Sequence, residues 1–210
     1  VGELSNDIEK HPDFIKIEKF AFEKFGLAAM SHRHGVFGMQ QPLPPIVKYG
    51  LTFLFVQSEF GLCCPLSMTD SLTRTLTKFG DKKLIEKFFD QLTSQDLDHL
   101  FQGAMFMTEQ HAGSDVGSID TYAEYEDGNW FLTGDKWFCS NPDADLAMVL
   151  ARHNKKISGT KGLALFLLPK KLENGDLNNY EIIRLKDKLG GRSFASGEIK
   201  LNRAFAYLVG

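Results

Sequence analysis

The sequence contains no long apolar run. No stretch approaches the roughly 18 apolar residues expected of a membrane-spanning helix. Residues 1–5 are neither basic nor apolar enough for a signal peptide. We therefore expect a protein that works in water, with no membrane partner.

Cysteine is scarce. The chain has three, of which Cys63 and Cys64 are adjacent and Cys139 stands alone. They cannot build the disulfide framework of a small secreted domain, so we expect a reducing intracellular compartment, the mitochondrial matrix or the cytoplasm. The adjacent pair is predicted to be buried between apolar helices rather than to act as a redox pair.

The sequence also lacks a strong net charge and the familiar short catalytic motifs. Its formal net charge is −3, which gives the chain no field for non-specific attraction to nucleic acid. It contains no dinucleotide glycine fingerprint and no nucleophile elbow. His32 and His34 have no Cys or carboxylate ligand near them in sequence, so we predict surface positions for both and no metal site.

The N-terminal half shows helical periodicity. The chain has 210 residues, 43% of them hydrophobic and 18 of them Phe, which is enough for two domains with substantial cores. Over residues 12–92 the apolar positions recur at the spacing of amphipathic helices. Helix-start signals lie at Pro44, Pro65 and Asp81. We predict an all-α domain of four or more helices over residues 1–100.

The pattern changes after about Gln102 to short apolar or alternating runs separated by turn residues, which is typical of strands. Two such runs, residues 122–125 and 130–132, flank Asp127-Gly128, a strong hairpin signal. The strands predicted besides these two are residues 103–107, 136–139, 146–151, 163–168, 181–185 and 197–201. We predict an antiparallel β-barrel or sandwich over residues 101–210, and hence an α+β multidomain chain.

Two strand ends in this half carry residues suited to a ligand. Residues 105–115 run from an apolar strand into a polar turn that contains glycine, and residues 134–141 place two aromatic side chains ahead of a serine. Glycine permits close approach, and a strand end leaves backbone donors unpaired. On the local pattern alone an ordinary strand end explains each better, with at least one of Trp137 and Phe138 in the core.

A glycine pair further along leaves two alternatives open. Residues 190–193, Gly-Gly-Arg-Ser, are suited to cradle a phosphate, such as that of a CoA. A turn between two strands explains them at least as well.

Taken together, the two strand ends resemble the paired flavin-binding signatures of the acyl-CoA dehydrogenase family. The matching residues are Met107-Thr108-Glu109 with Gly113-Ser114-Asp115, and then Gly134-Asp135-Lys136-Trp137-Phe138. The chain is most similar to the AidB-like branch, on the strength of Thr108-Glu109, Lys136-Trp137-Phe138, and Leu185 to Gly190 with Arg192-Ser193 and Ala195-Ser196. The resemblance covers nearly the whole chain.

The resemblance implies a domain order. In this family an N-terminal helical domain and a central β domain precede a C-terminal four-helix domain, and FAD lies between the last two. The chain begins without Met and stops just after the apolar residues 205–209. We therefore expect a fragment that is truncated at both ends and lacks the C-terminal domain.

The resemblance also implies FAD as the cofactor and assigns residues to it. Met107 and Thr108 are expected to hold the flavin ring through backbone N–H groups and the Thr hydroxyl. Phe138 is expected to lie against the isoalloxazine, and Ser140 to offer a hydroxyl near flavin N5. Ser114 is expected to approach the pantetheine arm of the substrate as well as the cofactor. The complete predicted cofactor set is Met105, Phe106, Met107, Thr108, Gly113, Ser114, Phe138, Cys139 and Ser140.

The activity implied is α,β-dehydrogenation of a fatty acyl-CoA thioester, in which a carboxylate removes the α proton and the β hydrogen leaves as hydride to flavin N5. The family's base is a Glu of the C-terminal domain. Glu109 belongs to a turn, so no catalytic residue is predicted in this chain. Alone the chain is expected to be inactive and poor at retaining FAD, because it supplies one wall of the site. The complete protein is expected to be a homotetramer that passes electrons to a separate acceptor.

Two alternatives stay open beside the enzyme. One is a non-catalytic flavoprotein of the same fold that binds or senses an acyl-CoA, and the other is an AidB-like flavoprotein associated with DNA damage. The fold does not decide among them. Met105, His111 and Phe138 depart from the commoner family pattern, so no substrate preference is carried over.

Overall fold

A computed structural model of the chain describes residues 6–210. These residues form two compact units. The helical unit comprises residues 10–103 and 188–194, and the sheet unit comprises residues 104–187 and 195–210 together with the described residues before Lys10. The predicted order of helices followed by strands is confirmed.

The described part of the helical unit contains four α-helices. They are α1 (Pro12–Lys19), α2 (Pro45–Ser58), α3 (Cys63–Phe79) and α4 (Lys82–Leu92), and a short π-helical turn, Phe20–Lys24, follows α1 directly. Asp81 caps α4 as predicted, because its Oδ1 accepts a hydrogen bond of 2.8 Å from the Leu84 amide. Helix α3 begins at Cys63, two residues before Pro65. Proline is tolerated in the first turn because the amide that it lacks would have no partner within the helix.

Three ionisable side chains are buried together in the helical unit. His32 Nε2 lies 2.7 Å from Asp70 Oδ1, and Lys48 Nζ donates to Asp70 Oδ2. The three side chains are 6–7% exposed. The predicted surface position of His32 is therefore wrong, because the carboxylate that it pairs with lies far away in sequence. We call these three residues the Asp70 cluster.

No helix within residues 6–210 is long and apolar enough to span a membrane. Over the same residues no group of three or more His, Cys, Asp or Glu side chains is placed to hold a metal ion.

The sheet unit contains seven strands among the described residues. They are β1 (Gly103–Phe106), β2 (Tyr122–Glu126), β3 (Asn129–Ser140), β4 (Leu146–Arg152), β5 (Leu163–Pro169), β6 (Tyr180–Leu185) and β7 (Ser196–Val209). Gly103, the first residue of β1, belongs to the helical unit. Two of the predicted strands, 130–132 and 136–139, are parts of the single long strand β3. A core of small and apolar side chains, including Phe106, Leu132, Cys139 and Phe166, fills the interior of this unit.

The strand order is β1-β4-β2-β3-β7-β5, with β6 paired to β7 and a further pairing between β4 and β5. The pairings therefore form a closed circuit of β4, β2, β3, β7 and β5. The ladders β2–β3, β3–β7, β4–β5, β5–β7 and β6–β7 are antiparallel. A short parallel contact joins β2 and β4 at Tyr122 and Arg152, which the sequence did not indicate.

The β2–β3 hairpin forms where the Asp-Gly pair predicts it. Glu126 pairs with Asn129, and the two turn residues Asp127 and Gly128 have φ angles of 49° and 83°. Two positive φ angles in succession define the turn type that matches the twist of a hairpin.

Candidate functional site

The first predicted strand end follows β1. Phe106 is 1% exposed and packs in the core, whereas Met105, Met107 and Thr108 are half-buried. The Met107 carbonyl accepts a bond of 3.2 Å from Lys136 Nζ, and the Thr108 carbonyl accepts one of 2.8 Å from the Trp137 amide. These two bonds bring the two predicted strand ends together on neighbouring segments.

Two hydroxyl groups at these strand ends have no partner. Within residues 6–210, neither the Thr108 nor the Ser140 side chain makes a hydrogen bond, and both residues are half-buried. A half-buried hydroxyl without a partner is available to a ligand, and binding one removes the cost of its incomplete solvation.

A tight turn follows Thr108. The Glu109 and Ala112 backbones bond to each other in both directions, at 3.0 and 3.2 Å, and the residues of the turn beyond them, Gly113 and Ser114, are exposed. His111 Nε2 lies 2.9 Å from Asp120 Oδ2 on the outside of the turn. Gly113 and Ser114 are thus open to a ligand, as the predicted role requires.

A buried ion pair fixes this turn. Glu109 Oε1 accepts from Lys136 Nζ at 2.8 Å and from the Thr121 amide at 3.0 Å, and Oε2 accepts from the Asp120 amide at 2.7 Å. Lys136 Nζ also donates to the Leu150 carbonyl at 2.8 Å, so all three of its protons are used. Glu109 is therefore not available as a base.

Burial alone disfavours the Glu109 carboxylate, but the Lys136 ammonium and the backbone amides outweigh it and hold the pKa of Glu109 below its ordinary value. The side chains of Lys136 and Glu109 are 0% and 4% exposed. Burial lowers the pKa of Lys136, and the Glu109 carboxylate opposes that shift. The pair ties the turn to strands β3 and β4.

The second strand end contains a β-bulge. Lys136 pairs with Ile199 and Cys139 with Gly197, so two residues of β3, Trp137 and Phe138, face one residue of β7. The bulge interrupts the alternation of sides. Trp137 is therefore half-buried and Phe138 is 56% exposed, and the prediction that one of them lies in the core is wrong.

Two members of the predicted cofactor set have side chains that face away from any ligand. The side chains of Phe106 and Cys139 are buried in the core of the sheet unit, at 1% and 0% exposure. Burial also raises the pKa of the Cys139 thiol far above its ordinary value. These two residues can therefore offer only backbone groups to a ligand. In the case of Cys139, the bulge turns the side chain inward, to the same side of the sheet as Lys136.

A charged cluster beside Trp137 was not identified from the sequence. Lys186 Nζ lies 3.1 Å from the centre of the Trp137 ring and 2.5 Å from Glu198 Oε1, and Arg184 Nη2 lies 2.7 Å from the same oxygen. Arg184 lies in β6, and Lys186 is the first residue after it, where its amide still bonds the Ser196 carbonyl. Residues two apart along an extended segment share a face. This spacing of the two basic residues is the sequence feature from which the cluster could have been predicted. A cavity of about 280 Å³ borders Trp137, with Ile183 and Glu198 in its lining.

The glycine pair at residues 190–191 lies in the segment 188–194, which belongs to the helical unit. Gly191 has a φ of 63°, and Lys188 Nζ donates to the Phe194 carbonyl at 2.7 Å across the turn. The glycine pair thus lies in the connection between strands β6 and β7.

Two protein-family models match successive parts of the chain. Residues 104–204 match the family model of the acyl-CoA dehydrogenase middle domain, and residues 1–99 match that of the adaptive response protein AidB N-terminal domain. The chain belongs to the acyl-CoA dehydrogenase family, with an AidB-like N-terminal half.

Individual relatives support the same assignment. The chain is 40% identical to acyl-CoA dehydrogenase family member 11 of Caenorhabditis elegans over 82% of its length, and 37% identical to the putative acyl-CoA dehydrogenase AidB of Escherichia coli over 75%. It spans 30% of the length of each of these relatives. A crystal structure of Caenorhabditis elegans ACDH-11 in complex with C11-CoA matches all of this chain with a TM-score of 0.85 and 32% identity, and the match covers 36% of that protein.

Proposed function

We propose that the sheet unit supplies one wall of an FAD site in an acyl-CoA dehydrogenase that oxidises a fatty acyl-CoA thioester. The proposed domains are residues 1–100, helical, and residues 101–210, flavin-binding. Met107 and Thr108 would hold the flavin ring, Phe138 would lie against it, and Ser140 would donate near N5. Met105 would contribute beside them, and Phe106 and Cys139 through their backbones.

One observation carries the proposal: the Thr108 and Ser140 hydroxyls lie on segments joined by the Thr108–Trp137 backbone bond, and both lack a partner within residues 6–210. Both carbonyls of Met107 and Thr108 are already used as acceptors. The polar groups of these segments that are still available to a ligand are therefore hydrogen-bond donors. Donors suit the electron-rich edge of a reduced flavin.

FAD would supply a hydride acceptor for the β hydrogen of the substrate. The residues of this chain would orient the acceptor and exclude water from one side, and Gly113 and Ser114 would approach the pantetheine arm or the cofactor phosphates. The base is proposed to lie elsewhere in the complete protein, because Glu109 is locked by Lys136 and two amides. The complete protein is further proposed to be a homotetramer of a reducing compartment, the mitochondrial matrix or the cytoplasm, with a separate electron acceptor.

The experiment compares the complete protein with its Thr108→Val and Ser140→Ala variants, and with Thr160→Val, which changes an exposed residue outside the predicted cofactor set. The dissociation constant of FAD is measured by visible absorbance. Each site variant is expected to weaken binding about five- to tenfold, the usual effect of one hydrogen bond, and Thr160→Val to leave it unchanged. A wild-type protein that takes up no flavin, or site variants that bind like Thr160→Val, would contradict the proposal.

A second candidate function is binding of an acyl-CoA without catalysis. The relative crystallised with C11-CoA is consistent with this candidate, because that structure holds an acyl-CoA bound to a protein of the same fold. Anaerobic addition of acyl-CoAs of several lengths to the flavin-loaded protein separates the two functions. Bleaching of the flavin supports dehydrogenation, and binding without bleaching supports the second candidate.

A further inference from the structure

The charged cluster beside Trp137 is organised around Glu198. On β7 this residue faces the Trp137–Phe138 bulge of β3. On β6 the register also shifts, so that Ile182 pairs with Ile199 and Arg184 with Glu198. Two irregularities on different strands thus meet at one carboxylate, which receives Arg184 at 2.7 Å and Lys186 at 2.5 Å.

Lys186 is held far more firmly than an ordinary surface lysine. Its side chain is 11% exposed, and that of Glu198 is 12% exposed. The ammonium lies 3.1 Å from the Trp137 ring centre and 4.7 Å from that of Phe138. The two rings meet edge to face, with centres 6.4 Å apart. A cation placed on aromatic faces with its carboxylate partner fixes the orientation of both rings.

The cluster carries a net positive charge. Arg184 and Lys186 together hold two positive charges against the single negative charge of Glu198. The two cations hold the pKa of Glu198 below its ordinary value, so this carboxylate is charged at neutral pH. The surplus positive charge lies beside Phe138, whose ring is 56% exposed.

We propose that Lys186 is a positioning and tuning residue for the flavin: it orients the Trp137–Phe138 pair and places positive charge next to it, which favours the reduced, electron-rich cofactor. The inference rests on the proposed function, in which Phe138 lies against the isoalloxazine. A charge beside a flavin acts on the balance between its two redox forms, whereas a purely structural contact acts on both forms alike.

The test is a charge series in the complete protein. Lys186→Met removes one positive charge, Lys186→Arg keeps it, and Glu198→Gln removes the negative charge. Lys156→Met is the control because Lys156 is an exposed lysine that does not belong to the cluster. The ratio of the dissociation constants of oxidised and reduced flavin is measured for each, with circular dichroism to confirm folding.

Lys186→Met is expected to reduce the preference for reduced flavin about three- to tenfold, the order expected for one charge near a partly exposed site. Glu198→Gln is expected to increase that preference, and Lys186→Arg and Lys156→Met to stay close to wild type, because arginine also stacks on tryptophan. Effects of opposite sign in Lys186→Met and Glu198→Gln would show that charge, and not packing, sets the preference for reduced flavin.

Equal weakening of both redox forms in Lys186→Met and Glu198→Gln would overturn the inference and leave the flavin site standing. A Lys186→Met protein that behaves like Lys156→Met would also overturn it. A wild-type protein that binds neither form would overturn the proposed function, and this inference with it.

Discussion

Gly134 faces Thr121 so closely that a Cβ atom at Gly134 would lie 2.5 Å from the Thr121 Oγ1 and 2.7 Å from its Cα. Gly134 also has a φ of 148°, which side chains rarely adopt. Thr121 is buried, and its amide is one of the donors to Glu109. The absence of a side chain at Gly134 therefore lets β3 approach the segment that holds the turn after β1.

Replacing Gly134 by Ala is expected to destabilise the chain by about 2–4 kcal/mol, because steric overlap adds to backbone strain. The matched control is Gly128→Ala, at a φ of 83° with nothing within 4 Å of the added atom. It should cost only about 1 kcal/mol. Urea unfolding followed by tryptophan fluorescence measures both, since the two tryptophans lie in β3. Equal costs would contradict the close approach.

Lys136→Met is expected to destabilise the chain by about 3–5 kcal/mol, because it leaves the Glu109 carboxylate buried without its cation. The same fluorescence-detected unfolding gives the free energy. Lys200→Met, which removes an exposed lysine from β7, should change it by less than about 0.5 kcal/mol.

The double variant Glu109→Gln with Lys136→Met tests the same pair by a cycle. Its destabilisation should fall at least about 1 kcal/mol short of the sum of the two single effects, since neither partner is then left as a lone buried charge. Simple additivity would show that the pair does not act as a unit.

Acid should weaken the helical unit through the Asp70 cluster. Burial disfavours the Asp70 carboxylate, but hydrogen bonds from His32 and Lys48 outweigh this and set the pKa of Asp70 below its ordinary value. A lowered folded-state pKa gives stability that is present above the unfolded pKa, about 3.9 for Asp, and is lost as the pH falls through the folded pKa.

Urea midpoints recorded by circular dichroism should therefore hold steady between about pH 5 and pH 6 and fall below about pH 4. Asp70→Asn should be less stable at neutral pH and show a flatter acid dependence. Asp90→Asn, which alters an exposed carboxylate of α4, should follow the wild-type curve. An Asp70→Asn curve parallel to wild type would refute the assignment.

Thiol reactivity should separate the three cysteines. Cys63 and Cys64 are half-buried at the start of α3, whereas Cys139 is buried, and burial raises its pKa strongly. In the native protein at mildly alkaline pH, a thiol-specific chromogenic reagent is expected to modify two cysteines, with the third reacting only after unfolding. Burial, Glu59 and Cys64 also raise the pKa of Cys63, which should slow the reaction of this thiol. Rapid modification of all three would contradict the buried position of Cys139.

Much of the architecture followed from local patterns. The change in apolar period near residue 100, the Asp81 cap and the Asp127-Gly128 turn are all short-range features, and each is found where predicted. The register of the long ladders did not follow, because it depends on partners many residues away. The bulge at Trp137–Phe138 is such a case, since it exists only relative to Glu198 on β7.

The candidate site divides in the same way. Thr108 and Ser140 were identified through motif residues that are contiguous in sequence. Other features of the site could not be identified from the sequence, because each depends on groups brought together from separate strands. They are the burial of Phe106 and Cys139, the locked state of Glu109 and the Lys186 cluster.

By itself the sequence determined the order of helices and strands, the hairpin turn and the residues that could carry a flavin, because periodicity, turn chemistry and motifs act over a few residues. The tertiary structure alone decided which charges are buried as pairs, which side of β3 each residue faces and which hydroxyls stay unpartnered. Those outcomes depend on distances in space. A buried charge loses its hydration and therefore needs a partner, which is whichever group the fold brings within hydrogen-bond distance.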